Sequence, residues 1–382
     1  MKSASLSYKP ITFAEVPEWA ADDHLAAFET FRKSCERIQA AAAARERSPV
    51  VGITKTAPPH PALVSACETS ARIPKVTKDS ARAFFEANFT PNTVTHKGPQ
   101  GMVTGYYEPI MEGSRTPQAG FQTPIYKRPP DLINLVDETQ RGAVGTAFTH
   151  ARKTEKGVEP FATRAQIEQG ALKGQGLELL YFADPVDVFF MQIQGSGRVK
   201  LTDGTTIRVH YDGKNGHPYS SIGRFLIEKG LLAADKVSMG ALAKWLRADP
   251  ERAKMVMWQN ASYVFFRELA NDARGPLGAQ NAPLTPGRSL AVDPGHHALG
   301  TPIFVTAGKM GHVVKSGSGA FNRLMIAQDV GSAIKGPERG DIYFGSGNAA
   351  GALAGVTKHV AKFIVLLPNE TLAKAQAAQA NP

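Results

Sequence analysis

The residues most suited to chemistry in this chain are carboxylates near its C-terminal end. Asp329 closes the apolar run Leu324-Met325-Ile326-Ala327 one residue further on, and Asp341 stands immediately before Ile342-Tyr343-Phe344. A carboxylate at the mouth of a β-strand projects from a rigid element, where an acid–base group is well held. Asp293, after Leu290-Ala291-Val292, is a third candidate. Aspartate is also an ordinary strand-end and turn residue, so a purely structural reading stays open. Two carboxylates suit glycoside hydrolysis, with Asp329 and Asp341 as the pair. One suffices for a lyase whose sugar supplies its own hydroxyl nucleophile. That lone residue acts first as acid and then as base, and partial burial must raise its pKa.

Other chemistries find little support. His296 and His297 are adjacent and would point to opposite faces of a strand, with no third metal ligand at a recognisable spacing. Gly195-Ser196-Gly197 lacks the dinucleotide fingerprint, and neither a phosphate loop nor a G-x-S-x-G elbow is present. Asp187 to Gly197 reads as a strand with Gln192 and Gln194 on one face, suited to hydrogen bonding a polar ligand or simply facing solvent. The formal net charge of +10 favours a polyanionic partner. Lys and Arg are scattered without aromatic interleaving, which argues against nucleic acid. Cys35 and Cys67 are the only cysteines, either two buried thiols or one disulfide.

The elements that would position these groups divide the 382 residues in two styles. Residues 1 to about 95 read as helical: Trp19 to Ile38 has apolar residues at three- and four-residue spacing with Asp22 or Asp23 as N-cap, Thr54 to Pro61 is a proline-rich linker, and Asp79 to Phe89 is a second amphipathic helix. From about 98 the pattern becomes short strands punctuated by Gly and Pro. Gly101 to Pro109 is a strand, and Phe121 to Pro130 an edge segment. A hairpin turns at Thr202-Asp203-Gly204-Thr205, and helices follow at Met239 to Arg247 and Pro250 to Met257. Five apolar strands, around Leu290, Pro302, Leu324, Ile342 and Phe363, suit a small closed barrel. The tail from Leu372 is read as frayed. The N-terminus as written has no apolar core of signal length and no lipid-attachment cysteine, and no run of eighteen apolar residues occurs.

Seven blocks, in order over roughly residues 100 to 367, resemble the membrane-bound lytic murein transglycosylase A family. They are Gly105-Tyr106-Tyr107-Glu108-Pro109, Phe121-Gln122-Thr123-Pro124-Ile125-Tyr126, Gln192-Ile193-Gln194-Gly195-Ser196-Gly197, Pro218-Tyr219-Ser220-Ser221-Ile222-Gly223, Asn260-Ala261-Ser262-Tyr263-Val264-Phe265-Phe266, Ala291-Val292-Asp293 and the run Ala327 to Gly336. The resemblance implies a mainly β fold with N-terminal and inserted helices. A double-psi β-barrel would be built from 1–105 with 266–382, a second β-rich domain would be inserted at 106–265, and a groove would lie between them.

It further implies cleavage of peptidoglycan between N-acetylmuramic acid and N-acetylglucosamine without water, leaving 1,6-anhydromuramic ends, with no cofactor and no metal. The family's catalytic aspartate falls on Asp341, and Asp329 becomes a supporting, sugar-binding acid. Tyr106, Gln192, Gln194, Ser196, Tyr219, Ser221, Asn260, Asp293, Ser332 and Lys335 are the further binding candidates, Gln194 and Ser196 being read on one strand face. The implied partners are peptidoglycan glycan strands, with cell-wall synthesis or division proteins as candidates and nucleic acid excluded. The implied location is the periplasm, with outer-membrane association in the family. The competing expectations are a non-catalytic peptidoglycan-binding protein and a two-carboxylate hydrolase on the same fold.

Overall fold

A computed structural model describes residues 6–47, 60–135, 144–145, 147–271, 275–314 and 319–369. The expected frayed tail and most of the expected Thr54–Pro61 linker lie outside the described residues. In chain order the strands are β1 (Ser7–Pro10), β2 (Phe89–Thr95), β3 (Met102–Glu108), β4 (Ile110–Gly113), β5 (Thr123–Tyr126), β6 (Leu132–Asn134), β7 (His150–Thr154), β8 (Gly157–Glu159), β9 (Glu178–Phe182), β10 (Ser196–Leu201), β11 (Thr206–Lys214), β12 (Val264–Ala270), β13 (Ser289–Val292), β14 (Pro302–Lys309), β15 (Ala320–Val330), β16 (Arg339–Ser346) and β17 (Lys358–Pro368). The helices are α1 (His24–Arg47), α2 (Pro61–Ala71), α3 (Lys78–Asn88), the short α4 (Arg164–Gln166), α5 (Pro185–Gln194), α6 (Ile222–Glu228), α7 (Met239–Arg247), α8 (Pro250–Met257) and α9 (Gly347–Val356). Among the described residues no helix is long and apolar enough to cross a membrane.

Two compact units form. The first comprises the described residues within Met1–Tyr106, Leu277–Gly345 and Thr357–Pro382. Its sheet runs β1-β2-β17-β14-β15-β13-β16-β3, and β3 pairs back onto β17, so six strands close into a ring. This is the closed barrel expected, and closure leaves those six strands no free edge. Strand alternation sorts the side chains. Val103, Leu290, Val292, Ile303, Val305, Met325, Ile342 and Phe363 fill the interior. Phe304, Leu324, Ile326, Ile364 and Leu366 point outward beneath Phe28, Phe31, Phe84, Phe85 and Phe89 of the helical cap. Asp23 caps α1 through Ala26 N, whereas Asp22 accepts both Nη groups of Arg288. Cys35 and Cys67 form a disulfide between α1 and α2. β1 and β2 correct the all-helical expectation for residues 1 to 95: the four-residue β1 is the sheet's edge strand, and β2 pairs between it and β17.

The second unit comprises the described residues within Tyr107–Pro276 together with Ser346–Val356. A four-stranded sheet, β12-β11-β10-β4, packs its apolar face against Val188 and Met191 of α5. Glu108 is fully buried and bonded to Arg208, Arg198 and Ser346, so the carboxylate is paired rather than left bare. The Asp187–Gly197 segment is not the strand its alternation suggests. Asp184 accepts from Val186 N at 2.8 Å, Pro185 occupies the first turn, and Gly195 at φ 79° receives the helix end. Those caps make α5 a helix, and the buried Val186-Val188-Phe189-Phe190-Met191 stripe holds it there.

Candidate active site

The two aspartates are brought to one face by strand register. On β16, Ile342 enters the barrel interior while Asp341 and Tyr343 face outward, and on β13 Ala291 faces outward between Leu290 and Val292. Ala291 pairs with Asp341 on one side and with Asp329 on the other. The acids are therefore two strand spacings apart, roughly 10 Å between Cα atoms, with only the methyl group of Ala291 on the strand between them. Asp341 is the third residue of β16 and lies within the strand, not at its mouth as expected, because pairing with β13 begins before the apolar triplet.

A bulge makes this arrangement possible. The β13–β15 register advances from Leu290–Ala327 to Ala291–Asp329, leaving Gln328 as the extra residue. Gln328 is fully buried, its Nε2 donates to Thr30 O and Ser34 Oγ of α1, and its Oε1 accepts from Ser289 Oγ. Its carbonyl accepts from Gln280 N at 3.2 Å. Without the extra residue, Gln328 would stand opposite Ala291 and Asp329 would point to the other face.

The two carboxylates differ in how their oxygens are used. Asp329 Oδ1 accepts from Ala279 N at 2.8 Å and Val330 N at 2.9 Å, and Oδ2 accepts from the Tyr106 hydroxyl at 2.9 Å. Asp341 Oδ1 accepts from Thr104 Oγ1 at 2.6 Å, and Thr104 in turn accepts from Arg339 Nη2 at 2.8 Å. Among the described residues Asp341 Oδ2 has no hydrogen-bond donor. Burial pushes the Asp341 carboxyl up to about 6; the Thr104 hydrogen bond and the Arg339 charge oppose the rise, and the charge of Asp329 adds to it. Burial raises Asp329 too, against its three hydrogen bonds. Tyr106 is held well above the usual phenol range by burial and by Asp329. Its ring packs on Tyr343 with centroids 5.3 Å apart.

Thr104 and Arg339 were not singled out from sequence. The available signal was two-residue spacing, since Thr104 precedes Tyr106 and Arg339 precedes Asp341 by two, on the same strand faces. Asp293 has its carboxylate committed to loop backbone: Oδ1 accepts from Gly295 N and Oδ2 from Gly336 N, with Lys335 Nζ 3.8 Å from Oδ1. His297 Nε2 bonds Pro337 O from the same turn. The Asp329–Asp341 connection is thus pinned at Gly336 and Pro337, with Ser332 and Lys335 exposed on it.

The remaining candidates lie in the second unit. Gln192 and Gln194 are two residues apart on a helix, so they face nearly opposite ways: Gln192 is buried, and Gln194 Oε1 accepts from Tyr107 N at 3.1 Å. Ser196 opens β10 and is buried, so it shares no strand face with Gln194. Asn260 is buried and its Oδ1 accepts from Ser220 N and Ser262 N, which fixes the loop bearing Tyr219 and Ser221. The Tyr219 phenol bonds Ser221, and the Ser221 hydroxyl caps α6 at Arg224 N.

Comparison with known proteins fits both units. Residues 102–267 match the MltA specific insert domain, and residues 288–367 match the 3D domain. The chain is 36% identical over 261 residues to membrane-bound lytic murein transglycosylase A of Vibrio cholerae, covering 68% of this chain and 63% of that protein. It thus spans less than two thirds of the length of the curated relatives it matches. A crystal structure of membrane-bound lytic murein transglycosylase from Agrobacterium tumefaciens is 36% identical, with a TM-score of 0.83, covering 96% of this chain and 99% of that one. The Escherichia coli protein, solved with bound chitohexaose, is 26% identical with a TM-score of 0.63, over 96% of this chain and 93% of that one. The chain belongs to the membrane-bound lytic murein transglycosylase A family.

Proposed function

We propose that this protein is a peptidoglycan lytic transglycosylase in which Asp341 is the single acid and base. The observation that carries the reading is the asymmetry of the two carboxylates. Asp341 keeps one oxygen open and a pKa of about 6, so a substantial neutral fraction exists near neutral pH. Asp329 has both oxygens occupied by three donors and is suited to holding Tyr106 and orienting the face. Protonated Asp341 gives its proton to the glycosidic oxygen as the bond from C1 of the muramic residue breaks. The resulting carboxylate takes the proton of the C6 hydroxyl as O6 closes on C1. Asp341 ends protonated and no water is consumed. The names of the relatives support the substrate, and the Cys35–Cys67 disulfide supports an oxidising compartment such as the periplasm.

Asp341→Asn should abolish release of anhydro-muropeptides from purified sacculi, and near wild-type release would overturn the assignment. The outward placement of Asp329 on the same face favours one rival, a hydrolase using both acids. Product mass separates the two, because a hydrolysed reducing end is one water heavier than the anhydro form.

A further inference from the structure

Lys358 lies on the same outward face, one strand beyond the residue that holds the acid. It opens β17 and pairs with Thr104 across the antiparallel β17–β3 contact. Directly opposed residues of such a pair project to the same side of the sheet. Thr104 donates to Asp341, so Lys358 and Asp341 flank Thr104 roughly two strand spacings, ~10 Å, apart at Cα. Lys358 is exposed and makes no ion pair among the described residues. Its four-carbon stem is long enough to bring the ammonium toward a ligand seated on Asp341. Arg339, the other cation here, is tied to Thr104 and the Gly340 carbonyl. The face is therefore polarised, with an uncommitted cation over β17 and the Asp329 carboxylate at β15.

A glycan of N-acetylglucosamine alone offers that cation nothing, and the Escherichia coli relative is seen with such a glycan. The muramic residue differs by a lactyl ether on C3. It ends in a carboxylate in a bare strand and in a carboxylate-bearing peptide when the stem is attached. We infer that Lys358 reads a carboxylate on the C3 substituent of the muramic residue at Asp341, and so selects which of the two alternating glycan linkages is presented to the acid. The inference rests on the transglycosylase reading.

The test compares Lys358 with Lys358→Met, both in the Asp341→Asn background, for binding of three probes: an alternating N-acetylglucosamine–N-acetylmuramic acid oligosaccharide, its lactyl methyl ester, and chitohexaose. Lys358→Met should weaken the carboxylate probe by about fivefold, the scale of an exposed ion pair, and flatten its salt dependence. The ester and chitohexaose should bind both proteins alike, and Lys358→Arg should restore most of the loss. Equal losses on all three probes, or none on any, would overturn the inference. Anhydro-muropeptide release by the unaltered protein separates the two failures. Its absence overturns the enzymatic reading, whereas its presence with no probe discrimination overturns only the role of Lys358.

Discussion

Replacing Thr104 by Val removes one hydroxyl and little volume, and the site predicts a specific displacement of the pH profile. The hydroxyl donates to Asp341 Oδ1 at 2.6 Å, a bond that favours the ionised carboxylate and opposes the rise caused by burial. A hydrogen bond to a charged group is worth roughly 1.5–3 kcal/mol net, and one pKa unit about 1.36 kcal/mol, so the carboxyl should rise by roughly 1–2 units. From about 6 it would titrate near 7 to 8. In the proposed reaction Asp341 starts protonated, so kcat/KM should fall as pH rises through its pKa. The alkaline limb should therefore lie near pH 6 in the wild type and move upward in Thr104→Val, with a lower plateau because the carboxyl is less firmly aimed. Thr104→Ser keeps the donor and should leave the limb in place. The assay is initial-rate release of anhydro-muropeptides from solubilised glycan strands between pH 4 and 9. A limb that stays put in Thr104→Val, or moves down, would refute the reasoning.

Two further variants test other parts of the structure. Asp329→Asn removes the charge that helps raise Asp341, so the alkaline limb should move the opposite way, toward lower pH. Activity should fall about tenfold or more because the oxygen that accepts from the Tyr106 hydroxyl becomes an NH2 donor, on the scale of a misplaced positioning group, while the product remains the anhydro form by mass. Cys35→Ser with Cys67→Ser opens a linkage spanning 32 residues, which should cost about 3–4 kcal/mol of stability by the chain-entropy relation. Thermal unfolding should report a Tm on the order of 10 °C lower, with the pH profile of the remaining folded enzyme unchanged.

The five C-terminal strands were legible because each is an apolar run bounded by Gly, Pro or Asp, and all five entered the barrel. Met239–Arg247 and Pro250–Met257 were legible as helices, and the structure caps them with Ser238 and Asp249. Caps also mark α5, yet the Gln192–Gln194 alternation was given more weight than Asp184-Pro185 and Gly195. A short segment rich in apolar residues resembles a strand when the helix it forms is buried over much of its surface. Asp341 was located by the family resemblance of the run Arg339 to Gly345, but the physical difference between Asp341 and Asp329 was not readable, since it depends on Thr104, Tyr106 and Ala279, brought in from distant segments. The Gln328 bulge was equally hidden, because an extra residue declares itself only against a partner strand.

That bulge has a consequence for how relatives of this chain diverge. The positions of the two acids are set by their common partner Ala291 and by Gln328, while the connection between them is anchored toward its far end, at Gly336, Pro337 and Glu338. Residues gained or lost at the exposed Ser332 and Ala333 would leave the register of both carboxylates in place, whereas a single deletion within β15 would rotate Asp329 away. A pattern search that fixes the interval between the acids would pass over such relatives. One that asks for strand–acid–variable connection–acid–strand, with a small residue on the strand between, would find them.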